Sequence, residues 1–173
     1  MFATIYLPNF YLQAALRHQP ALQAVPVALI DDQVARAAIL QLNAVAEKRG
    51  VRIGMAPSQG LARCLELVVK MRERVQEKLL GEMVLQFAFT LSPWVEATAP
   101  GVCTIEFTDT RELERKVTIV IEQLAATGII ATGGIAQTPD TSLLAAHLAR
   151  PVLQVGDVRT FLASLPIETL ACA

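Results

Sequence analysis

Histidine, cysteine, aromatic rings and charge are all scarce in this 173-residue chain, which has two His, three Cys, 5% aromatic residues and 18% Asp, Glu, Lys and Arg. Each shortage closes off a class of function. His18 and His147 stand far apart in the sequence, with no partner at metal-ligand spacing, so both read as structural residues ahead of metal ligands, and the spacings support no Ser-His-Asp or Cys-His relay. Cys64, Cys103 and Cys172 are odd in number and widely separated, and no pair has zinc-ligand spacing. They read as reduced thiols in a cytoplasmic protein. The net charge of −1 and a pI near 6.1 argue against a chain that grips DNA strongly by itself, which would be more basic. No apolar run approaches the roughly 18 residues of a membrane span. The start lacks the basic residues and small-residue cleavage site of a signal peptide. There is no internal repeat, low-complexity tract or long linker.

Apolar residues are what the chain has in quantity. They make up 53%, and the mean hydropathy is +0.44. The length suits one domain, or one domain with a small insert. The apolar surplus implies large buried strands, or a face that meets a missing partner.

Phe2 to Leu7 is a β-branched and aromatic run and predicts a strand that Pro8 ends. Asn9 is placed to cap a short helix with Phe10, Leu12, Ala15 and Leu16, which stops before Pro20. Pro26 to Ile30 predicts a strand closed by Asp31-Asp32, and Ala38 to Leu40 another. Asn43 starts a short helix through Arg49, with Gly50 in the C′ position. Ser58 to Cys64 predicts a further helical turn or two, and Leu67 to Lys70 a short strand. A long helix follows over 72–89, with Val75, Leu79, Met83 and Phe87 as its core stripe. Trp94 to Ala97 and Val102 to Phe107 form a hairpin across Ala99-Pro100-Gly101. Alternation along the second strand places Val102, Thr104 and Glu106 on one face and Cys103, Ile105 and Phe107 on the other. Asp109-Thr110-Arg111-Glu112 has the pattern of a capping box and opens a helix to Ala126, ended by Gly128. Ile129 to Ile135 predicts a strand, Ser142 to Ala149 a helix, and Asp157 caps a last helix to Leu165. With the 20–69 insert set aside, the order is strand, helix, strand, strand, helix, strand. The fold class is therefore α+β, a ferredoxin-like βαββαβ unit with a small inserted α/β unit. Many unrelated activities share that fold.

Several blocks, taken in order, resemble the Y-family (translesion) DNA polymerases, and more closely their ImuB-type relatives. Leu7-Pro8-Asn9-Phe10 is similar to the "LWLP"-like start of ImuB proteins. The run from Asn43 to Met55 resembles the fingers motif ending in G-V-x-x-G-M. Ser92-Pro93-Trp94-Val95-Glu96 is similar to the "SPxVE" entry to the palm hairpin. Gly134-Ile135-Ala136-Gln137-Thr138-Pro139 resembles the "GIA-x-N-K" element. Leu162-Ala163-Ser164-Leu165-Pro166 resembles the "fLxxLP" segment before the thumb. The resemblance implies a palm over 1–19 and 70–173 and a fingers subdomain over 20–69. It also implies that thumb and little finger are absent.

Nucleotidyl transfer in such a palm needs two divalent metals held by carboxylates. On the resemblance, the first-strand acid falls at Tyr6, a second ligand position at Pro8 and the hairpin acid pair at Gly101-Val102, while Glu106 keeps an acid. The triphosphate-binding Tyr and Arg of the fingers fall at Ala44 and Glu47, and the palm lysine at Leu143. Glu47 would repel the phosphates that an arginine attracts. The implied function is a non-catalytic homologue, without cofactor, acting as a scaffold in damage-induced mutagenesis beside an error-prone polymerase and the sliding clamp. One alternative is an active nucleotidyltransferase that gathers Mg²⁺ through displaced acids such as Glu96, Glu106 or Asp109. Another is an α/β interaction domain that shares only the fold.

Other candidates carry two readings each. Tyr11 stands where the family places its sugar-discriminating residue, and it also fits a helix residue packing on a sheet. Lys48, Arg49 and Arg52, and separately Lys70, Arg72 and Arg74, are possible DNA contacts or solvated faces diluted by Glu47, Glu66, Glu73 and Glu77. Thr132-Gly133-Gly134 could cradle a phosphate or mark a tight turn or close backbone approach. Asp31-Asp32 could be a metal pair, and reads first as a turn.

Overall fold

The computed structural model describes residues 1–31, 33, 37–166 and 169. The chain forms two compact units, one of Met1–Pro8 with Gly81–Ala173 and the other of Asn9–Leu80. In the first unit, strand β1 (Phe2–Tyr6) lies near the middle of a five-stranded sheet. In the second, α1 (Phe10–Leu16), β2 (Val27–Ile30), β3 (Ile39–Leu42), α2 (Ala44–Lys48), α3 (Pro57–Arg63) and β4 (Val68–Met71) follow in turn. Helix α4 (Arg74–Phe89) runs back into the first unit. There the chain continues through β5 (Val95–Ala99), β6 (Val102–Glu106), α5 (Leu113–Ala126), β7 (Thr132–Ala136), α6 (Pro139–Leu148), β8 (Val152–Gln154) and α7 (Val158–Ala163).

The large sheet has the order β5-β6-β1-β7-β8. Its first four strands are antiparallel neighbours in the ferredoxin-like arrangement, and β8 adds a parallel strand beside β7. Strand β1 pairs with β6 (Tyr6 opposite Val102, Phe2 opposite Glu106) and with β7 (Tyr6 opposite Thr132, Thr4 opposite Gly134). Directly opposed residues share a face. One face therefore carries Phe2, Thr4, Tyr6, Val102, Thr104, Glu106, Thr132 and Gly134. The other carries Ala3, Ile5, Cys103, Ile105, Gly133 and Ile135, of which Ala3, Ile5, Cys103, Ile105 and Ile135 are core residues. Burying each Ile or Leu side chain there contributes about 1.5–3 kcal/mol.

Two adjacent glycines set how helices approach the sheet. A Cβ on Gly133 would meet the side chains of Val117 and Ile121 on α5, and one on Gly134 would strike the backbone of α6 at Ser142 and Ala146. The Thr4 and Ser142 hydroxyls share a buried 2.7 Å hydrogen bond, and Thr132 Oγ1 donates to the Ala146 carbonyl at 2.6 Å. The pair of glycines thus lies within strand β7 and serves close backbone approach.

The inserted unit has a three-stranded sheet, β3-β2-β4, with β2–β3 antiparallel and β2–β4 parallel. Val27 and Leu29 pack with Leu12, Ala15 and Leu16 of α1. Ala28 packs on the opposite side with Ile39, Leu42, Ala46, Val51, Cys64 and Leu67. Asn43 ties this unit together. Its side chain accepts from the Ala46 and Val27 amides and donates to the Val25 carbonyl. Gly50 follows at φ +85°, as its place behind α2 predicts. Because α1 packs on β2 and β4 pairs with it, both belong to this unit rather than to the sheet around β1.

Four local expectations are corrected. The buried stripe of α4 is Leu80, Val84 and Ala88, with Glu77 in line, while Val75 and Leu79 are 71% and 47% exposed. Asn9 precedes α1 in the left-handed region without capping it through its side chain. The predicted capping box does not form: Asp109 accepts from the Arg111 amide, and α5 begins only after Glu112, which is left-handed at φ 54°. The strand expected from Ile129 begins at Thr132, and β8 carries no sequence signal beyond a short apolar run after Pro151.

Candidate functional site

The first-strand and hairpin positions come together in the sheet. Tyr6 lies opposite Val102, and the Leu7 amide donates to the Gly101 carbonyl at 2.8 Å. On the other side Tyr6 lies opposite Thr132. The Tyr6 ring rests on the His147 imidazole, with centroids 4.0 Å apart and planes tilted by 33°. Half-burial of His147 disfavours its charged form and lowers its pKa below the ordinary value. The end of the sheet around Tyr6 therefore presents a phenol, an imidazole, a threonine and a valine.

Glu106 occupies the other end. It opposes Phe2, four residues along β6 from Val102, on the order of 13 Å by strand rise. Glu96 opposes Thr104 and so points to the same face as Glu106. Both line a cleft of about 280 Å³ with Phe2, Trp94, Thr104 and Pro139. Asp109 lies outside it, held below the usual carboxylate range by the Arg111 backbone and side chain. Among the described residues, no three His, Cys, Asp or Glu side chains gather in a set able to hold a metal ion.

In the inserted unit, Ala44 and Glu47 stand one turn apart on α2, both exposed. Glu47 lines a cleft with Asn9, Leu42, Arg52 and Ile53. Arg52 is turned back on the chain, donating to the carbonyls of Glu47 and Val51. Arg49 reaches Glu66 at 3.8 Å on the surface, and Lys48 is exposed. Leu143 lies half-buried on α6 of the other unit.

The second basic cluster is internal. Arg72 makes a two-pronged pair with Glu77 (2.8 and 2.6 Å) and reaches Asp31 at 3.3 Å, while Arg74 reaches Asp31 at 2.7 Å. Lys70 donates to Gln19. The Glu77 hydrogen bonds hold Arg72 firmly protonated. The Gln33 amide, with Arg74 and Arg72, lowers the Asp31 pKa. The Arg72 guanidinium also lies 3.7 Å above the Tyr11 ring, whose other neighbours include the edge of Phe10. Tyr11 packs beside the Leu12, Leu16, Val27 and Leu29 cluster, the geometry of a helix residue on a sheet. Asp31 is thus an ion-pair acceptor, and Asp32 and Cys172 lie outside the described residues. Cys64 and Cys103 are buried thiols, and burial pushes Cys103 up to about 12. Sequence reasoning missed the Arg72–Glu77–Asp31–Tyr11 cluster because its members are far apart in the chain. The one available signal was an acid at a helical position in line with a buried stripe.

The architecture is that of the palm and fingers of Y-family DNA polymerases. A post-insertion binary complex of Dbh DNA polymerase superposes with a TM-score of 0.85 at 15% identity, covering 97% of this chain and 52% of that one. DinB from Sulfolobus solfataricus gives 0.82 at 16% identity, with the same coverage. The model of the impB/mucB/samB family matches residues 5–147, and the chain belongs to that family. DNA polymerase IV of Enterobacter sp. (strain 638) is 24% identical over an alignment of 170 residues that covers 93% of this chain and 48% of the relative. DNA polymerase IV of Shewanella pealeana is 26% identical over an alignment of 168 residues that covers 91% of this chain and 47% of the relative. The chain spans about half the length of the curated relatives it matches. Among the described residues, no helix is long and apolar enough to cross a membrane.

Proposed function

We propose that this chain is the palm and fingers of a non-catalytic Y-family homologue of the ImuB type. It acts as a scaffold in damage-induced mutagenesis and translesion synthesis, beside an error-prone polymerase and the sliding clamp. One observation carries the reading. The positions that the resemblance assigns to metal-holding acids are neighbours in the sheet, yet they carry Tyr6, Gly101 and Val102, with Tyr6 stacked on His147. Two-metal phosphoryl transfer depends on hard oxygen ligands at that point. A neutral imidazole, a phenol and a valine do not supply a pair of carboxylates. Glu47 and Leu143, in the positions of phosphate-binding cations, add support from separate places in the chain. DNA contact is weak or indirect on this reading, because Arg52 is engaged by carbonyls, Arg49 is paired and, of these three, Lys48 alone has no partner among the described residues.

The test is primer extension by the full-length protein with Mg²⁺ or Mn²⁺. The expected result is no template-directed incorporation. Incorporation abolished by Glu106→Ala would refute the reading. A second reading, a displaced metal site, draws on Glu96 and Glu106 sharing one cleft. A metal-soaked crystal would support it by showing two ions about 4 Å apart between them. Family membership sets aside the reading of an interaction domain related by fold alone.

A further inference from the structure

We propose that the open edge of β5, with the cleft beside it, docks an extended peptide segment of another protein that carries an arginine or lysine. The site is independent of whether the Tyr6 end supports catalysis.

Among the described residues, strand β5 closes the sheet on one side and pairs only with β6. The Trp94 carbonyl accepts from the Glu106 amide. By antiparallel alternation, Trp94 and Glu96 then direct their backbone groups to β6, and Val95 and Ala97 direct theirs outward. Those outward donors and acceptors are what strand addition uses. The register shift between Ala97 and Ala99 limits the paired length, which suits a short segment rather than open-ended sheet growth.

Side chains on the adjoining face define the occupant. Trp94 is 64% exposed, the only tryptophan of the sequence, and it stands in the cleft with Phe2 and Pro139. Glu96 and Glu106 add two carboxylates, and among the described residues neither has a cationic partner. An indole face beside two unneutralised carboxylates complements a guanidinium or ammonium group. The ring attracts the cation and the carboxylates accept its hydrogen bonds. The same two charges repel phosphate, so the arrangement disfavours a nucleic-acid backbone. A peptide pairing with Val95 and Ala97 sends alternate side chains to the cleft face, where one cation meets both acids.

The probe is a short fluorescein-labelled peptide of alternating valine and threonine with a central arginine, titrated with the 173-residue chain. Peptide anisotropy and the emission of Trp94 are read together. Saturable binding is expected, with a parallel change in Trp94 emission and weakening by salt. Affinity should fall by about tenfold or more in the Glu96→Gln, Glu106→Gln double variant. Ala97→Pro removes an outward N–H without touching the β6 ladder, and should weaken binding while circular dichroism stays unchanged. Equal binding by the double variant overturns the proposal, as does failure to saturate into the millimolar range. A Trp94 response to oligothymidylate or to Mg²⁺ alone that matches the peptide's overturns it too.

Discussion

Around β1, helix position is set by side chains that are missing. In the inserted unit, position is set by polar side chains that reach in. Gly134 lets the backbone of α6 lie on the sheet, and the Thr4–Ser142 hydroxyl pair fixes it there. Asn43 holds three backbone groups at once, and Arg72 joins Tyr11, Asp31 and Glu77. The first device tolerates change at Tyr6 and Val102, because neither residue sets the helix–sheet distance. The second device ties shape to charge, so the inserted unit is the one expected to respond to loss of an ionic group.

The largest effect should come from Gly134→Ala. Its methyl group would collide with helix backbone, which cannot rotate away as a side chain can. Destabilisation of about 3 kcal/mol or more is expected in urea melts. A smaller loss would mean that α6 can slide on β7, and the first half of the comparison would fail. Arg72→Ala comes next. It leaves buried Glu77 with the longer Arg74 contact at 3.9 Å in place of the two-pronged pair and uncovers the Tyr11 ring, at a cost of about 2–4 kcal/mol. Arg72→Lys should recover only part of this, since an ammonium cannot make the two-pronged pair. Full rescue by lysine would show that charge alone is at work.

The sequence made the order of elements legible where one local rule acts without competition. Asn43 and Gly50 bound α2 because a cap and a left-handed glycine need only their own neighbours. Alternation on β6 sorted Cys103 and Ile105 from Thr104 and Glu106 for the same reason. Helix α4 defeated the reading because Val75, Leu79, Leu80, Met83, Val84, Leu85, Phe87 and Phe89 put apolar residues on every side. The buried face was then chosen by tertiary contact and by Arg72 drawing Glu77 inward. The start of α5 was misplaced because Asp109 closes a local turn with Arg111 instead of capping a helix. In the candidate site, the adjacency of Tyr6, Gly101 and Val102 follows from a hairpin pairing with the first strand. The His147 ring under Tyr6 does not, because it depends on how closely Gly134 admits α6.

His147 gives the comparison a pH signature. Its folded pKa lies below the ordinary 6.5 because burial disfavours the charged ring. Below 6.5 the unfolded chain therefore binds more protons than the folded one. Stability from this group is complete above that pH and is lost as pH falls through the folded value. His147→Phe should flatten the loss of stability that sets in as pH falls below 6.5, and keep the aromatic contact with Tyr6. Asp31 acts lower, since its folded pKa is depressed below 3.8. Its contribution is present above that value and is lost as pH drops through the folded pKa. Urea melts of wild type, His147→Phe and Asp31→Asn at several pH values separate the groups: the slope that His147→Phe removes belongs to the sheet around β1, and the part of the acid-side slope that Asp31→Asn removes belongs to the inserted unit, the remainder including Asp109, whose carboxyl is also held low. A slope unchanged by His147→Phe would remove the imidazole from the account.

The smallest effect should have the opposite sign. Gly81 lies inside α4, and a Cβ there would meet nothing within 4 Å. It does none of the packing work of Gly134, so its flexibility only weakens the helix. Gly81→Ala should raise stability by about 0.5–1 kcal/mol. The two glycine-to-alanine changes are chemically identical and differ only in what lies above the Cα. If thermal melts moved both variants the same way, glycine would matter here for chain entropy rather than for close approach, and the account of how α6 is seated on the sheet would be lost.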